Sequence, residues 1–253
     1  MISFRDAPIN EVVIGKVFEP VMKWLVPYFG KFWGLVEDEF PSCEDAPTLF
    51  DPTESVPNTI PLPRVWLIGA DRTRLLQLQR DRFYCNWRQT QSEDYIRFST
   101  VFSEYQKYEA ILSSFVSSQF QEEIRSKKLE LTYGNILTHG KEWDSFSNLD
   151  RTIRDLRFIE DSGYLGKISN GNLRLEYFMR DAPGRVAIAI NSAKRSGSEQ
   201  PVIRFELTAM VRAADLNGMA ENDWYTAGHD AIVNGFVELT TLEAQEKHWH
   251  RIS

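Results

Sequence analysis

The residues best suited to acid–base chemistry are a histidine and a carboxylate that are adjacent in the sequence, His229 and Asp230. A histidine beside a carboxylate can act as a general base. The surrounding pattern predicts a helix, however, and adjacent helical side chains point about 100° apart, so these two do not face each other. His229 shares its predicted stripe with Tyr225 and Ile232, which favours a packed, hydrogen-bonded histidine. The alternative is an enzyme in which His229 meets carboxylates from distant strands.

His248 and His250, which flank Trp249, are the second candidate pair. Both could reach one metal ion from a strand but would diverge on a helix. No cysteine and no acidic pattern of recognised metal-binding spacing lies nearby, so we expect a frayed tail and no metal ion. The chain also has no Gly-x-Ser-x-Gly elbow and no glycine-rich phosphate loop. We therefore predict no catalytic residue and no cofactor.

The stretch from Arg64 to Arg88 is the element that must position any functional surface. Its three short apolar runs are separated by turn residues, a pattern typical of a tight antiparallel meander. Because side chains alternate along a strand, Phe83, Cys85 and Trp87 are predicted to share a core face.

The opposite side of this meander is rich in arginine and amides, a mixture suited to protein interfaces. We predict that it points into solvent and binds a partner. The residues assigned to this role are Arg74, Gln77, Gln79, Arg80, Arg82, Tyr84 and Arg88. A solvated sheet face with cross-strand ion pairs is the plainer interpretation.

The net charge of −7 is concentrated in one short segment. Residues 37–54 contain seven acidic side chains and no Lys or Arg, so they account for all of it. The segment merges into a proline-rich run, and proline excludes helix and central strand. We interpret residues 41–63 as an extended acidic connection on the surface, either a contact arm or a solvated loop. Because the chain as a whole is acidic, nucleic acid is a disfavoured partner.

The two cysteines, Cys43 and Cys85, provide no disulfide framework, which favours a reducing compartment. Arg5, Asp6 and Glu11 lie where a secretory signal would need an uninterrupted apolar core. No segment approaches the roughly 20 apolar residues of a transmembrane helix. We therefore expect a cytoplasmic protein with no membrane contact.

Hydrophobic spacing predicts the order strand, helix, meander, helix, strand, irregular segment, three strands and helix. This order is typical of an α+β fold in which an antiparallel sheet built from meanders is packed by amphipathic helices, including a long C-terminal helix. The first two helices are predicted over 24–40 and 103–124. We predict a single domain over residues 1–253. Two related halves, 1–138 and 139–253, are an open alternative, although they share no obvious repeat.

A binding pocket for a small molecule is a second functional interpretation. The curved sheet and the last helix could enclose aromatic side chains such as Trp66, Phe83, Trp87 and Phe205. In this view Trp66, Trp87 and His229 are ligand-binding rather than structural residues.

Four sequence blocks carry a resemblance to a known family. They are DAPINEVV, LLQLQRDRFYCNWR, SEYQKYEAILSSF and AGHDAIVNGF, the last followed by Trp249. Together they resemble a sporadically distributed bacterial family of about this length that has no characterised function, and the resemblance covers most of the chain. It implies no activity, cofactor or catalytic residue. A sporadic distribution is similar to that of accessory genes, including phage-defence genes.

From these observations we expect a non-catalytic protein-interaction module of an accessory bacterial system. It would bind a partner protein, or a second copy of itself, through the arginine-rich sheet face. Charge complementarity between that face and the acidic connection would favour self-association.

Overall fold

An antiparallel sheet of nine strands dominates the protein in this computed structural model, which describes residues 3–49, 62–90, 96–158, 164–195 and 197–252. In chain order the strands are β1 (Ser3–Phe4), β2 (Ile9–Phe18), β3 (Ser42–Ala46), β4 (Arg64–Ile68), β5 (Arg74–Gln79), β6 (Arg82–Arg88), β7 (Ser126–Thr138), β8 (Asn172–Phe178), β9 (Arg185–Lys194), β10 (Pro201–Arg212) and β11 (Arg251–Ile252). The nine-stranded sheet has the order β3-β4-β5-β6-β2-β7-β10-β9-β8, and β1 pairs with β11 separately.

The α-helices are α1 (Val26–Trp33), α2 (Phe98–Phe120), α3 (Glu221–Leu239) and α4 (Leu242–Lys247). Short 3-10 helices occupy Phe146–Arg151 and Ala213–Asp215. The predicted α+β class, with its antiparallel sheet and C-terminal helix, is confirmed. No helix in the described ranges has both the length and the apolar character needed to cross a bilayer.

The chain divides into two compact units whose boundaries lie inside secondary-structure elements. One unit contains Val12–Glu130 and Arg212–Ala214, and the other contains Met1–Glu11, Leu131–Val211 and Asp215–Ser253. The boundaries fall within β2, β7, β10 and the 3-10 helix Ala213–Asp215. That the chain consists of two structurally related halves stays a prediction.

In the unit that contains Val12–Glu130, the meander has the predicted strands. Leu76 lies opposite Cys85, and Gln77 lies opposite both Tyr84 and Trp66. The apolar side packs against α2, where the Phe83 and Tyr105 rings stack with centroids 6.3 Å apart. Alternation along the strands thus placed the core face correctly.

Two predicted elements of this unit differ from the structure. The predicted helix over 24–40 is shorter: α1 ends at Trp33, and turns follow from Gly34, in keeping with the low helix propensity of glycine. In its first part the predicted connection over 41–63 is extended and exposed, but Ser42–Ala46 forms the edge strand β3 and pairs with β4 instead of forming an arm or loop. Residues 50–61 of that connection lie outside the described residues, so its role as a contact arm stays a prediction.

In the other unit, α3 packs on β7 and β10. The Phe205 and Phe236 rings stack with centroids 5.8 Å apart. Trp249 is fully buried and its ring centroid lies 5.1 Å from that of Phe236. The expectation of a frayed tail is therefore wrong, because a buried tryptophan and the pairing of β11 with β1 fix the C-terminus.

Candidate functional site

The amide of Gln77 is the centre of the polar side of the meander, and it is buried rather than exposed. Its Nε2 donates to Asn86 Oδ1 at 2.8 Å. Its Oε1 accepts from Arg64 Nη1 at 3.0 Å and from Trp66 Nε1 at 3.2 Å. An amide that bonds three neighbouring side chains has little hydrogen-bonding capacity left for a partner.

Gln79 is also buried, and its side chain bonds the backbone of Leu49, which lies within the acidic connection. Its Oε1 accepts from the backbone N–H of Leu49 at 2.8 Å, and its Nε2 donates to the Leu49 carbonyl at 3.3 Å. The side chain therefore pairs with a peptide group as a neighbouring strand would. This contact holds the end of the segment that follows β3.

Tyr84 is also buried, and its hydroxyl donates to the carboxylate of Glu130 in a short hydrogen bond. Burial, and then the charge of Glu130, raise the pKa of the Tyr84 phenol well above its ordinary value. Gly15 on β2 makes room for this ring, because a Cβ at that position would lie 2.5 Å from Tyr84 Cδ1. Lys128 Nζ lies 2.6 Å from Glu130 and balances its charge.

The arginines of the predicted surface are buried or half-buried, and the buried Nε atoms of Arg80 and Arg88 have no hydrogen-bond partner among the described residues. The side chain of Arg82 is 9% exposed. Its Nε donates to Asp81 Oδ1 at 3.1 Å and its Nη2 donates to Asp81 Oδ2 at 2.8 Å. Arg88 is half-buried, with its guanidinium carbon 5.5 Å from the centroid of the Trp66 ring. Arg80 is half-buried in the turn between β5 and β6.

Arg74 does not belong to this side of the sheet. It lies opposite Trp87, whose side chain faces α2, and its guanidinium contacts Glu104 at 3.3 Å and Glu39 at 3.8 Å. Strand alternation separates it from Gln77 and Gln79, because Arg74 is an odd number of residues from both.

The prediction of outward-pointing guanidinium groups on the meander is therefore wrong. Its physical reason is burial: Arg82 is nearly buried against Asp81, Arg64 bonds the buried Gln77, and Arg80 and Arg88 are half-buried. Partner binding by Arg74, Gln77, Gln79, Arg80, Arg82, Tyr84 and Arg88 stays a prediction, with no exposed polar face to support it.

The aromatic residues proposed to line a pocket do not converge. Trp66 and Trp87 lie on opposite faces of the meander, because Trp66 opposes Gln77 whereas Trp87 opposes Arg74. Phe83 and Phe205 are fully buried, one in each of the two units. A separate open groove of about 770 Å³ lies between α1 and α2, lined by Lys31, Leu35, Ala110, Ile111, Ser114, Phe115, Ser118 and Gln119.

His229 is a half-buried residue whose Nδ1 shares a hydrogen bond with the Tyr133 hydroxyl at 2.8 Å. Burial lowers the pKa of its imidazole, and the nearby charge of Asp230 opposes this effect. The contact with Tyr133 is the one expected of a packed histidine, while catalysis by His229 stays a prediction. Among the described residues, no group of three or more His, Cys, Asp or Glu side chains could hold a metal ion.

The edge strand β8 is the one strand of the described sheet that combines exposed aromatic side chains with a terminal position. Leu175 is 40% exposed, Tyr177 50% and Phe178 83%. β8 and β9 are two of the three strands predicted after the irregular segment, but the place of β8 at the end of the sheet was not predicted. The sequence signal that could have marked it is the arrangement of Arg174 and Glu176 on either side of Leu175.

Among the described residues, one side of the β8 backbone has no neighbouring strand. Gly171 O accepts from Ser192 N at 2.9 Å and Met179 N donates to Gly184 O at 3.1 Å, so odd-numbered residues face β9. In an antiparallel ladder the N–H and C=O of one residue point to the same side and alternate along the strand. The backbone groups of Asn172, Arg174, Glu176 and Phe178 therefore point away from the sheet.

Comparisons with protein-family models, curated proteins and solved structures found no match to this chain.

Proposed function

We propose that the protein is a non-catalytic protein-interaction module that takes up a polypeptide strand at the free edge of β8. The contact surface is thus a strand edge rather than the arginine-rich meander. The proposal includes a cytoplasmic location and a role in an accessory bacterial system, with phage defence as one such role. The alternative of a small-molecule pocket loses support because Trp66 and Trp87 face opposite sides.

The observation that carries this proposal is the outward row of backbone donors and acceptors on β8. An edge strand with free N–H and C=O groups is a template for pairing with another chain, and natural proteins usually block it with Lys, Pro or a bulge. β8 has no Lys and no Pro, its two charged residues Arg174 and Glu176 are of opposite sign, and its register with β9 is regular from Asn172 to Phe178. Strand addition of this kind gains affinity from main-chain hydrogen bonds and specificity from alternate side chains.

The side chains of β8 suit such an addition. Leu173, Leu175 and Tyr177 lie on the same face as the buried Ile188 and Ile190 of β9. An added strand would extend this apolar row and remove Leu175 and Tyr177 from water. Burial of exposed apolar surface is favourable at about 25 cal/mol per Å².

Two substitutions at one position test the proposal. In Glu176→Pro the outward N–H is removed without loss of a bond to β9, whereas Glu176→Ala removes the side chain and keeps the N–H. Each variant and the wild type are used to capture proteins from a lysate of the source cells, and backbone hydrogen exchange is measured on the captured complexes. We expect slowed exchange at Arg174, Glu176 and Phe178 in the wild-type and Glu176→Ala complexes, and loss of capture by Glu176→Pro. Equal capture by Glu176→Pro with unchanged exchange would contradict the proposal.

A further inference from the structure

We infer that the strand taken up by β8 is the β8 strand of a second copy of this chain, paired antiparallel about a two-fold axis at Leu175. The inference rests on the proposed function, since it names the partner of the same edge. Its basis is the sequence Asn-Leu-Arg-Leu-Glu-Tyr-Phe of β8, in which Arg174 and Glu176 are equidistant from Leu175.

The backbone limits the registers in which two β8 strands can pair. Residues opposite each other exchange both N–H···O bonds only when the backbone groups of both point into the shared gap. In β8 these are the even-numbered residues, so an even residue must oppose an even residue of the second copy. Three central registers satisfy this condition: Arg174 opposite Arg174, Arg174 opposite Glu176, and Glu176 opposite Glu176.

Charge selects one of these three registers. The first places two guanidinium groups opposite each other, and the third places two carboxylates opposite each other, both of which are unfavourable. In the second, two-fold symmetry creates the Arg174–Glu176 pair twice. This register also aligns the full lengths of the two strands, with Asn172 opposite Phe178 at each end.

The apolar face of β8 agrees with the same register. Leu175 would oppose its own copy at the two-fold axis, and Leu173 would oppose Tyr177 on either side. Such aliphatic and aromatic cross-strand pairs are stabilising, and their Cβ atoms are close in pairs that lack direct hydrogen bonds. All three side chains would continue the row begun by Ile188 and Ile190 of β9.

The ion pairs of the single chain do not oppose pairing. Arg174 Nη2 lies 3.0 Å from Glu176 Oε1, and Arg185 Nη1 lies 3.3 Å from Glu176 Oε2. The side chains of both arginines are more than half exposed, and such exposed pairs are weak. Arg174 can therefore exchange its carboxylate for that of the second copy, while Arg185 keeps its contact with Glu176.

The test uses two charge reversals that are complementary to each other. Arg174→Glu gives a strand with two carboxylates, and Glu176→Arg gives one with two guanidinium groups. Sedimentation velocity over a concentration series measures self-association of each variant, of their equimolar mixture and of the double exchange Arg174→Glu/Glu176→Arg. Both positions are exposed, and urea unfolding confirms that each variant is folded.

We expect the wild type to form dimers and each single variant to dimerise about tenfold or more weakly, since both cross-strand pairs change from attractive to repulsive. The equimolar mixture should form heterodimers, and the double exchange should dimerise as the wild type does. Single variants that dimerise as well as the wild type, or a mixture that stays monomeric, would overturn the inference. A wild type that is monomeric at every concentration would also overturn it, yet would leave the proposed function to be judged by the capture experiment with Glu176→Pro.

Discussion

Replacement of Gln77 by methionine should destabilise the protein strongly, because it removes an amide that three buried or half-buried groups share. Methionine keeps the length and approximate volume of the side chain, so the change tests hydrogen bonding more than packing. After the substitution Asn86 Oδ1 loses the donor at 2.8 Å, and Arg64 Nη1 and Trp66 Nε1 lose their common acceptor.

The expected magnitude follows from the burial of these three groups. A buried polar group that loses its partner costs about 1–3 kcal/mol. Asn86 is 2% exposed, so water cannot readily replace the lost donor there. Arg64 and Trp66 are half-buried, and water can replace part of what they lose. Together these effects predict a fall of about 2–4 kcal/mol in the free energy of unfolding.

Urea unfolding followed by tryptophan fluorescence measures this change. Gln106→Met is the matched control, because Gln106 is an exposed residue on α2, and its effect should stay within about 0.5 kcal/mol. If Gln77→Met changed stability no more than Gln106→Met, the amide would behave as a solvated group. The hydrogen bonds of Gln77 to Asn86, Arg64 and Trp66 would then contribute nothing to stability.

Three further predictions concern single positions. Tyr84→Phe should reduce the fall in the free energy of unfolding above about pH 10. The phenol of the unfolded chain loses its proton there, while burial raises the pKa of Tyr84 in the folded protein. Urea unfolding from about pH 9 to 11 measures the difference. His229→Gln should reduce the fall in the free energy of unfolding as the pH drops below about 6.5. Burial lowers the pKa of the folded imidazole, so the unfolded chain binds the proton first. Urea unfolding from about pH 7.5 to 5 measures the difference. Gly15→Ala should lower the free energy of unfolding by about 2 kcal/mol or more, because its Cβ would lie 2.2 Å from Phe83 O. Gly134→Ala is the control and should change stability little, because a Cβ there would have no neighbour closer than 3.7 Å. Thermal unfolding of the two variants compares them.

Most of the strands could be predicted from the sequence because their signal is local. Alternation in Arg64–Arg88 predicted which side chains face α2, and the structure places Phe83, Cys85 and Trp87 there. The same alternation could not show what covers the other side. Gln77 and Gln79 look like solvent-facing residues until Trp66 and the backbone of Leu49 are placed against them, and those contacts join residues far apart in the chain.

The candidate site was harder to predict than the fold, since an assignment by residue type favours arginine and aromatic side chains. Arg82 illustrates the error: its guanidinium is satisfied by Asp81, its immediate neighbour in the chain, and is nearly buried. Trp249 illustrates the reverse error, because a tryptophan two residues before β11 looked like part of a loose tail. In both cases the missing information is tertiary burial, which sequence spacing does not contain.

The two outer strands of the sheet show why a strand edge leaves so little trace in the sequence. β3 exposes Glu44 and Asp45, and such adjacent like charges discourage the pairing of another chain. In the proposed pairing, β8 would bind its partner through backbone groups that every non-proline residue possesses, so no particular side chain marks the edge in the sequence. The terminal position of β8 depends on the order of all nine strands in the sheet, which the sequence of β8 does not encode. What the sequence itself contributes is the opposite charge of Arg174 and Glu176 around Leu175. Within one chain this charge pattern makes only exposed ion pairs, with Arg185 as a second partner of Glu176, and in the proposed dimer it would select a single register.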